Sequence, residues 1–297
     1  MMRCLLSSRL ILAAAVFTAC LFMLLVVLWL PIKSDVLIFT SMRTGSADIY
    51  VMDVWRGFEQ RLTTERSDED APAWSADGEQ IAFVADRDGN AEIYRMDAYG
   101  ENIERLTTYL GADFSPSWSP DGEQIAFVSG RDIDMEIYLL TLASGEIRQL
   151  TDNANNDYAP VWIERKGHTV IAYTSVYDGN TEIYFINADG GEVDTLMNAI
   201  TISFTPAWSG DGGRMAFLSY RSGNSQMMVT GDSDVARPLT EVNTSVNAPD
   251  WSPDGEWIAF ESPQSGNTEL YMIRVRDGRV RQLTHNPAPD YDAQWKP

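Results

Sequence analysis

The chain is poor in the residues on which most catalytic sites depend. Its 297 residues hold two cysteines and two histidines. Cys4 and Cys20 both lie near the amino terminus, so the rest of the chain can form neither a disulfide framework nor a thiolate metal site. With only His168 and His285, a zinc centre or a histidine-based triad has almost nothing to be built from. There is no Gly-x-Ser-x-Gly elbow. Positive charge is scarce too: 22 Lys and Arg stand against 43 Asp and Glu, and residues 1–33 contain three of the bases and none of the acids. Such a surface repels nucleic acid and anionic headgroups, which excludes nucleic acid as a partner. It favours cations, basic partners and plain solubility.

What the chain does have is repetition. Ala-Pro-Ala-Trp-Ser-Ala-Asp-Gly-Glu-Gln-Ile-Ala-Phe at 71–83 recurs at 115–127 and 248–260, with looser copies at 159–173 and 205–217. A period in the forties marks an architecture built from one small unit. In the unit from Pro72 to Thr107, Ala73–Ser75, Ile81–Ala85, Glu92–Met96 and Glu104–Leu106 read as strands. Asp77-Gly78, Arg87–Asn90 and Asp97–Gly100 read as turns. Four short antiparallel strands make one propeller blade.

The spacings support a ring. The repeat tryptophans are 74, 118, 162, 208, 251 and 295, and the outer-strand leucines are 62, 106, 150, 196, 239 and 283. Each such leucine is followed by the next tryptophan at a constant interval, as a uniform link between blades requires. Residues 36–63 supply three strands and no Trp strand, while Ala293–Pro297 supply a Trp strand alone. Together they make one blade. The expected fold is an all-β, six-bladed β-propeller over residues 36–297, closed by a blade shared between the two ends and monomeric. The tryptophans and the Ile-Tyr column then pack between blades rather than bind ligands.

Ahead of the repeats, Leu10–Leu30 is an uncharged, mostly apolar run, long enough as a helix to cross a bilayer. Arg3 and Arg9 precede it. A cleaved signal peptide is the competing reading, and Phe17-Thr-Ala-Cys20 faintly resembles a lipoprotein box. The length of the run and the absence of small residues at its far end favour one uncleaved transmembrane signal anchor. Residues 1–9 then form a cytoplasmic tail, 10–30 the transmembrane anchor, 31–35 a linker, and the propeller is extracytoplasmic, periplasmic or extracellular.

Pro-x-Trp-Ser-Pro-Asp-Gly-x-x-Ile-Ala-Phe, Arg-Asp-Gly-Asn-x-Glu-Ile-Tyr and Arg-Leu-Thr, recurring in that order, resemble the repeat of TolB-type six-bladed β-propellers over essentially all of 36–297. The resemblance implies the fold. It does not single out a function, because similar blades serve as periplasmic scaffolds, precede peptidase domains and form carbohydrate-active enzymes. The apolar run stands where TolB has an α/β domain.

The positions that the repeat leaves free are the informative ones. Five residues before the tryptophans stand Glu69, Asp113, Asp157 and Asp290; four before stand Asp70, Phe114, Tyr158, Phe204 and Tyr291. Arg43, Arg87, Arg131 and Arg221 fall at the second turns of their blades. This pattern predicts an acidic and aromatic channel mouth ringed by arginines. The leading expectation is a membrane-anchored, non-catalytic module that holds a protein or peptide partner there. The alternatives are a carbohydrate-acting lyase or hydrolase or a lactonase using channel carboxylates, and a ligand- or metal-sensing propeller. Calcium is the cation that such carboxylates would take.

Overall fold

A computed structural model describes residues 35–297 apart from 132, 166, 178–179, 192–193, 196–202, 222–223, 232–235 and 242–244, with backbone alone at 177, 180, 194–195, 203–204 and 220–221. The apolar run 10–30 and the cytoplasmic tail lie outside the described residues. No described helix is long and apolar enough to cross a membrane.

Six four-stranded antiparallel sheets make up the described fold. Blade 1 combines β1 (Val36–Ser41), β2 (Asp48–Asp53) and β3 (Phe58–Arg61) with the last strand, β24 (Asp290–Trp295). Blade 2 is β4 (Glu69–Trp74), β5 (Gln80–Ala85), β6 (Glu92–Asp97) and β7 (Glu104–Arg105). Blade 3 is β8 (Asp113–Trp118), β9 (Gln124–Ser129), β10 (Glu136–Thr141) and β11 (Glu146–Gln149). Blade 4 is β12 (Asn156–Arg165), β13 (His168–Tyr177), β14 (Asn180–Asn187) and β15 (Asp194–Thr195). Blade 5 is β16 (Ser203–Trp208), β17 (Met215–Arg221), β18 (Asn224–Thr230) and β19 (Ala236–Pro238). Blade 6 is β20 (Asn247–Trp251), β21 (Trp257–Ser262), β22 (Glu269–Arg274) and β23 (Val280–Gln282). The strands β4, β8, β12, β16, β20 and β24 touch one another in a closed circuit and line the central channel. The shared closing blade is therefore present, with β24 paired to β1 from Leu37↔Trp295 to Ser41↔Asp290.

The core lies between blades, and the sequence explains why. The second strands, such as Ile81-Ala-Phe-Val-Ala85, are apolar on both faces because each sheet has a neighbour above and below. Trp74 shares a buried cluster with Ile38 and Ile49 of blade 1, Trp251 with Ala207 and Ala216 of blade 5, and Trp295 with Ala259 and Leu270 of blade 6. Within a blade, cross-strand partners stack: Phe83 on Tyr94 and Phe260 on Tyr271, at 5.7 and 5.6 Å between ring centroids.

The inner strands differ from the sequence expectation. The first strand of blade 2 begins at Glu69, not Ala73, and every inner strand carries a bulge. The cause is backbone conformation three residues before each tryptophan. Ala71, Ser115, Ala159, Thr205, Ala248 and Asp292 all have φ between 42° and 52°. A non-glycine residue there costs roughly 1–2 kcal/mol, and the extra residue reverses which side chains face inward.

Candidate functional site: the channel mouth

Outside blade 5, whose side chains at 203–204 lie outside the described residues, the bulge divides each pair of mouth residues. The residue five before the tryptophan turns into the blade junction, and the next one stays at the channel. Glu69, Asp113, Asp157 and Asp290 are fully buried, so they stand behind the mouth rather than on it. Their partners are largely the expected arginines. Arg87 Nη2 lies 3.1 Å from Glu69 Oε1, Arg131 Nη2 3.0 Å from Asp113 Oδ2, and Arg43 Nη2 3.0 Å from Asp290 Oδ2. Each guanidinium also lies over its blade's tyrosine: Arg43 over Tyr50 at 4.5 Å, Arg87 over Tyr94 at 4.9 Å and Arg131 over Tyr138 at 4.7 Å. These arginines are held within their own blades, inner strand to third strand, rather than ringing the mouth as free cations. The side chain of Arg221 lies outside the described residues.

Each of these acids meets a second one, from the third strand of the preceding blade. The buried pairs are Asp48 with Glu69, Glu136 with Asp157, and Glu269 with Asp290, while Glu92 and Asp113 are joined through the Thr107 hydroxyl. Arg61 serves Asp48 at 2.6 Å and Arg105 serves Glu92 at 2.8 Å. The Glu136–Asp157 pair has neither arginine, because Gln149 replaces the outer-strand one and Tyr177 the turn one. Neutral donors compensate in part: the Asn153 backbone N donates to Glu136 at 2.9 Å and its side-chain Nδ2 to Asp157 at 2.8 Å, the Thr151 hydroxyl donates to Glu136, and Ser175 hydrogen-bonds Asp157. Burial, with the Asp157 charge adding to it, pushes the Glu136 carboxyl up to about 7, and burial raises Asp157 as well.

The mouth itself is formed by the other set. Asp70 and Tyr291 are half-buried there, on adjacent inner strands. Burial, then the charges of Asp292, Asp68 and Asp86, push Asp70 up to about 6. Burial also raises Tyr291, with Asp70 and Asp292 nearby. Asp292 is raised by burial and is the one acid at the bulge position. Its backbone N donates to Glu261 Oε1 at 2.7 Å, and burial followed by the Asp292 charge pushes Glu261 up to about 7. Blades 6, 1 and 2 thus give the mouth a carboxylate sector: Glu261, Asp292 and Asp70.

The facing sector is apolar. Tyr158 of blade 4 is 39% exposed, and Phe114 of blade 3 is half-buried against the core. Beside them, at the same end of blade 3, Leu110 and Ile133 are almost entirely in solvent. Phe204 occupies the equivalent position on β16, with its side chain outside the described residues. Sequence reasoning missed Glu261 and Asp292. Both were visible as acids in columns otherwise uncharged: Thr40, Val84, Val128, Thr174 and Leu218 for the first, Ala71, Ser115, Ala159, Thr205 and Ala248 for the second.

A cavity of about 390 Å³ opens at the other end of the channel, walled by Pro116, Pro160, Pro206, Trp162, Trp208 and Asp250. Burial pushes Asp250 up to about 7, and its Oδ2 accepts the Trp295 backbone N–H at 2.7 Å. Among the described residues no three acids, histidines or cysteines are grouped so that they could hold a metal ion.

This is a closed six-bladed β-propeller whose channel ends are chemically unlike. The chain belongs to the TolB beta propeller domain family, whose model matches residues 29–113, 108–199 and 188–297. TolB from Acinetobacter baumannii has a similar structure, with a TM-score of 0.76 at 20% identity over 89% of this chain and 67% of that one. The putative TolB from Agrobacterium tumefaciens gives 0.66 at 22% identity, over 84% and 88%. An oligogalacturonate lyase in complex with manganese gives 0.54 at 17% identity, over 86% and 75%. These likenesses establish the fold, which hosts more than one activity. No curated protein matches the chain in sequence.

Proposed function

We propose that the protein is a membrane-anchored, extracytoplasmic binding module that holds a segment of a protein partner at the channel mouth, without chemistry. The observation that carries this reading is the division of the mouth. Carboxyl groups of Glu261, Asp292 and Asp70, for which no arginine or lysine partner is seen among the described residues, face an apolar sector of Phe114 and Tyr158. The partner segment that fits has basic residues for one side and apolar residues for the other. Contact area on aromatic groups supplies affinity, and charge supplies orientation. Calcium, the cation that the sequence led us to expect at channel carboxylates, enters the test as a variable.

The test is affinity capture from envelope extract with the full chain, wild type and Asp70→Asn/Asp292→Asn, each with calcium and with a chelator. Glu164→Gln, an exposed change at the opposite end, is the control. The wild type and the control are expected to retain a protein that the double variant recovers about tenfold less well, a difference of about 1.4 kcal/mol. Equal recovery by all three would remove the mouth from the binding site.

A further inference from the structure

We infer that the propeller rests on anionic lipid headgroups through a basic and aromatic patch on blades 6 and 1, at the end opposite the mouth. The inference rests on the membrane-anchored reading above.

The first observation is where the chain enters the fold. Asp35 leads into β1 at the end where Val36 pairs with Asp53, while the mouth lies where Ser41 pairs with Asp48 and Asp290. Only residues 31–34 separate the apolar run from Asp35. Fully extended, four residues reach at most about 14 Å. On the membrane-anchored reading, a tether of that reach limits how far Asp35 can stand from the bilayer.

The second observation is what surrounds that end. Trp55 Nε1 donates to Asp35 Oδ2 at 2.7 Å, and the Trp55 ring meets Trp257 edge-on at 5.7 Å. Arg281 lies over Trp55 at 5.3 Å, which joins blade 6 to the point where the chain enters. Outward from this knot, Phe58 is 67% and Val280 52% exposed. The side chains of Arg276 and Arg279 are 71% and 78% exposed, and that of Arg56 is 53% exposed.

The third observation is charge. The net charge of the chain opposes contact with anionic lipid, but the β22–β23 hairpin carries Arg274, Arg276, Arg279 and Arg281 against Asp277 alone. The equivalent hairpin of blade 2 carries Asp97, Glu101 and Glu104, and that of blade 4 carries Asp189, Glu192 and Asp194. Two acids of the patch are already engaged, Asp53 by Arg56 and Asp277 by Arg274. Arginine with exposed aromatic and aliphatic groups suits the headgroup region, where the stem and ring meet the acyl boundary and the guanidinium meets phosphate.

Docking this way turns the mouth outward, open to a partner. The test uses the full chain in nanodiscs of neutral phosphatidylcholine and of the same lipid with one third phosphatidylglycerol. Amide hydrogen exchange is read over 53–58 and 274–281. Slower exchange is expected in the anionic discs, with protection lost at high salt and reduced about fivefold for each arginine removed in Arg276→Gln/Arg279→Gln. Equal exchange in both lipids, with the chain still disc-bound, would overturn the patch and leave the anchor standing. Release of the chain from vesicles by alkaline carbonate would overturn the anchor, and the patch with it.

Discussion

At the scale of single residues, the informative contrast is among the four buried acid pairs. Three of them receive at least one guanidinium; Glu136 and Asp157 receive none among the described residues. A carboxyl raised in the folded state contributes stability that is present below its ordinary range and lost as pH rises through the folded value. For Glu136 the loss falls between about 4.5 and about 7. Asp70, Asp250 and Glu261 shift in the same direction, so the whole protein is expected to melt lower at pH 8 than at pH 5. Glu136→Gln should relieve its part, on the order of 1–3 kcal/mol at pH 8 and little at pH 5. Gln149→Arg, which restores the arrangement of Arg105 on Glu92, should do the same without removing the acid. Thermal unfolding of the full chain at both pH values checks this. A Glu136→Gln effect that is equal at pH 5 and pH 8 would mean the pair is not under charge strain. The missing arginines were legible in the sequence at 149 and 177. That the two acids meet was not, because they lie on different blades and only the fold brings them together.

At the scale of elements, the junctions between inner strands are keyed by the tryptophans in two ways. Where the residue before a tryptophan is small, its carbonyl accepts the next blade's indole N–H. Trp118 donates to Ala73 O at 3.1 Å, Trp162 to Ser117 O at 3.2 Å and Trp251 to Ala207 O at 3.1 Å. Where that residue is Asp250 or Gln294, its side chain instead accepts the backbone N–H of Trp295 or Trp74, and both indoles are left without a partner. Trp118→Phe and Trp295→Phe remove similar volume but only the first removes a hydrogen bond. Trp118→Phe should therefore cost about 1 kcal/mol more, or roughly 2–4 °C of additional loss in thermal midpoint. Equal losses would show that packing alone keys the junction. The second to fourth strands of blade 2 were readable, because alternating and doubly apolar runs bounded by Asp-Gly turns leave little choice of register. The inner strand was not, because nothing in Ala-Pro or Ser-Pro announces a positive φ one residue earlier. That single conformational fact moved Glu69, Asp113, Asp157 and Asp290 from the mouth to the junctions, and left Asp70 and Asp292 at the channel.

At the scale of the whole molecule, the ring is held shut by its last strand. β24 pairs with β1 and buries Ala293 and Trp295 against blade 6, while Gln294 reaches the Trp74 backbone of blade 2. It also supplies Tyr291 and Asp292 to the mouth, and Lys296 N donates to Val36 O beside the point where the chain enters. Closure, the mouth and the start of β1 thus depend on one six-residue strand. Without it, β1 becomes an open edge and two blades lose an apolar neighbour. Trp295→Ala alone should cost about 3–5 kcal/mol, or roughly 10 °C in midpoint. Deletion of 290–297 should cost more, and the exposed edge should drive association on size exclusion. The two variants separate packing from closure. A deletion that melts no lower than Trp295→Ala would mean that the strand contributes only its tryptophan, and one that melts with the wild type would mean that the ring stays shut without it.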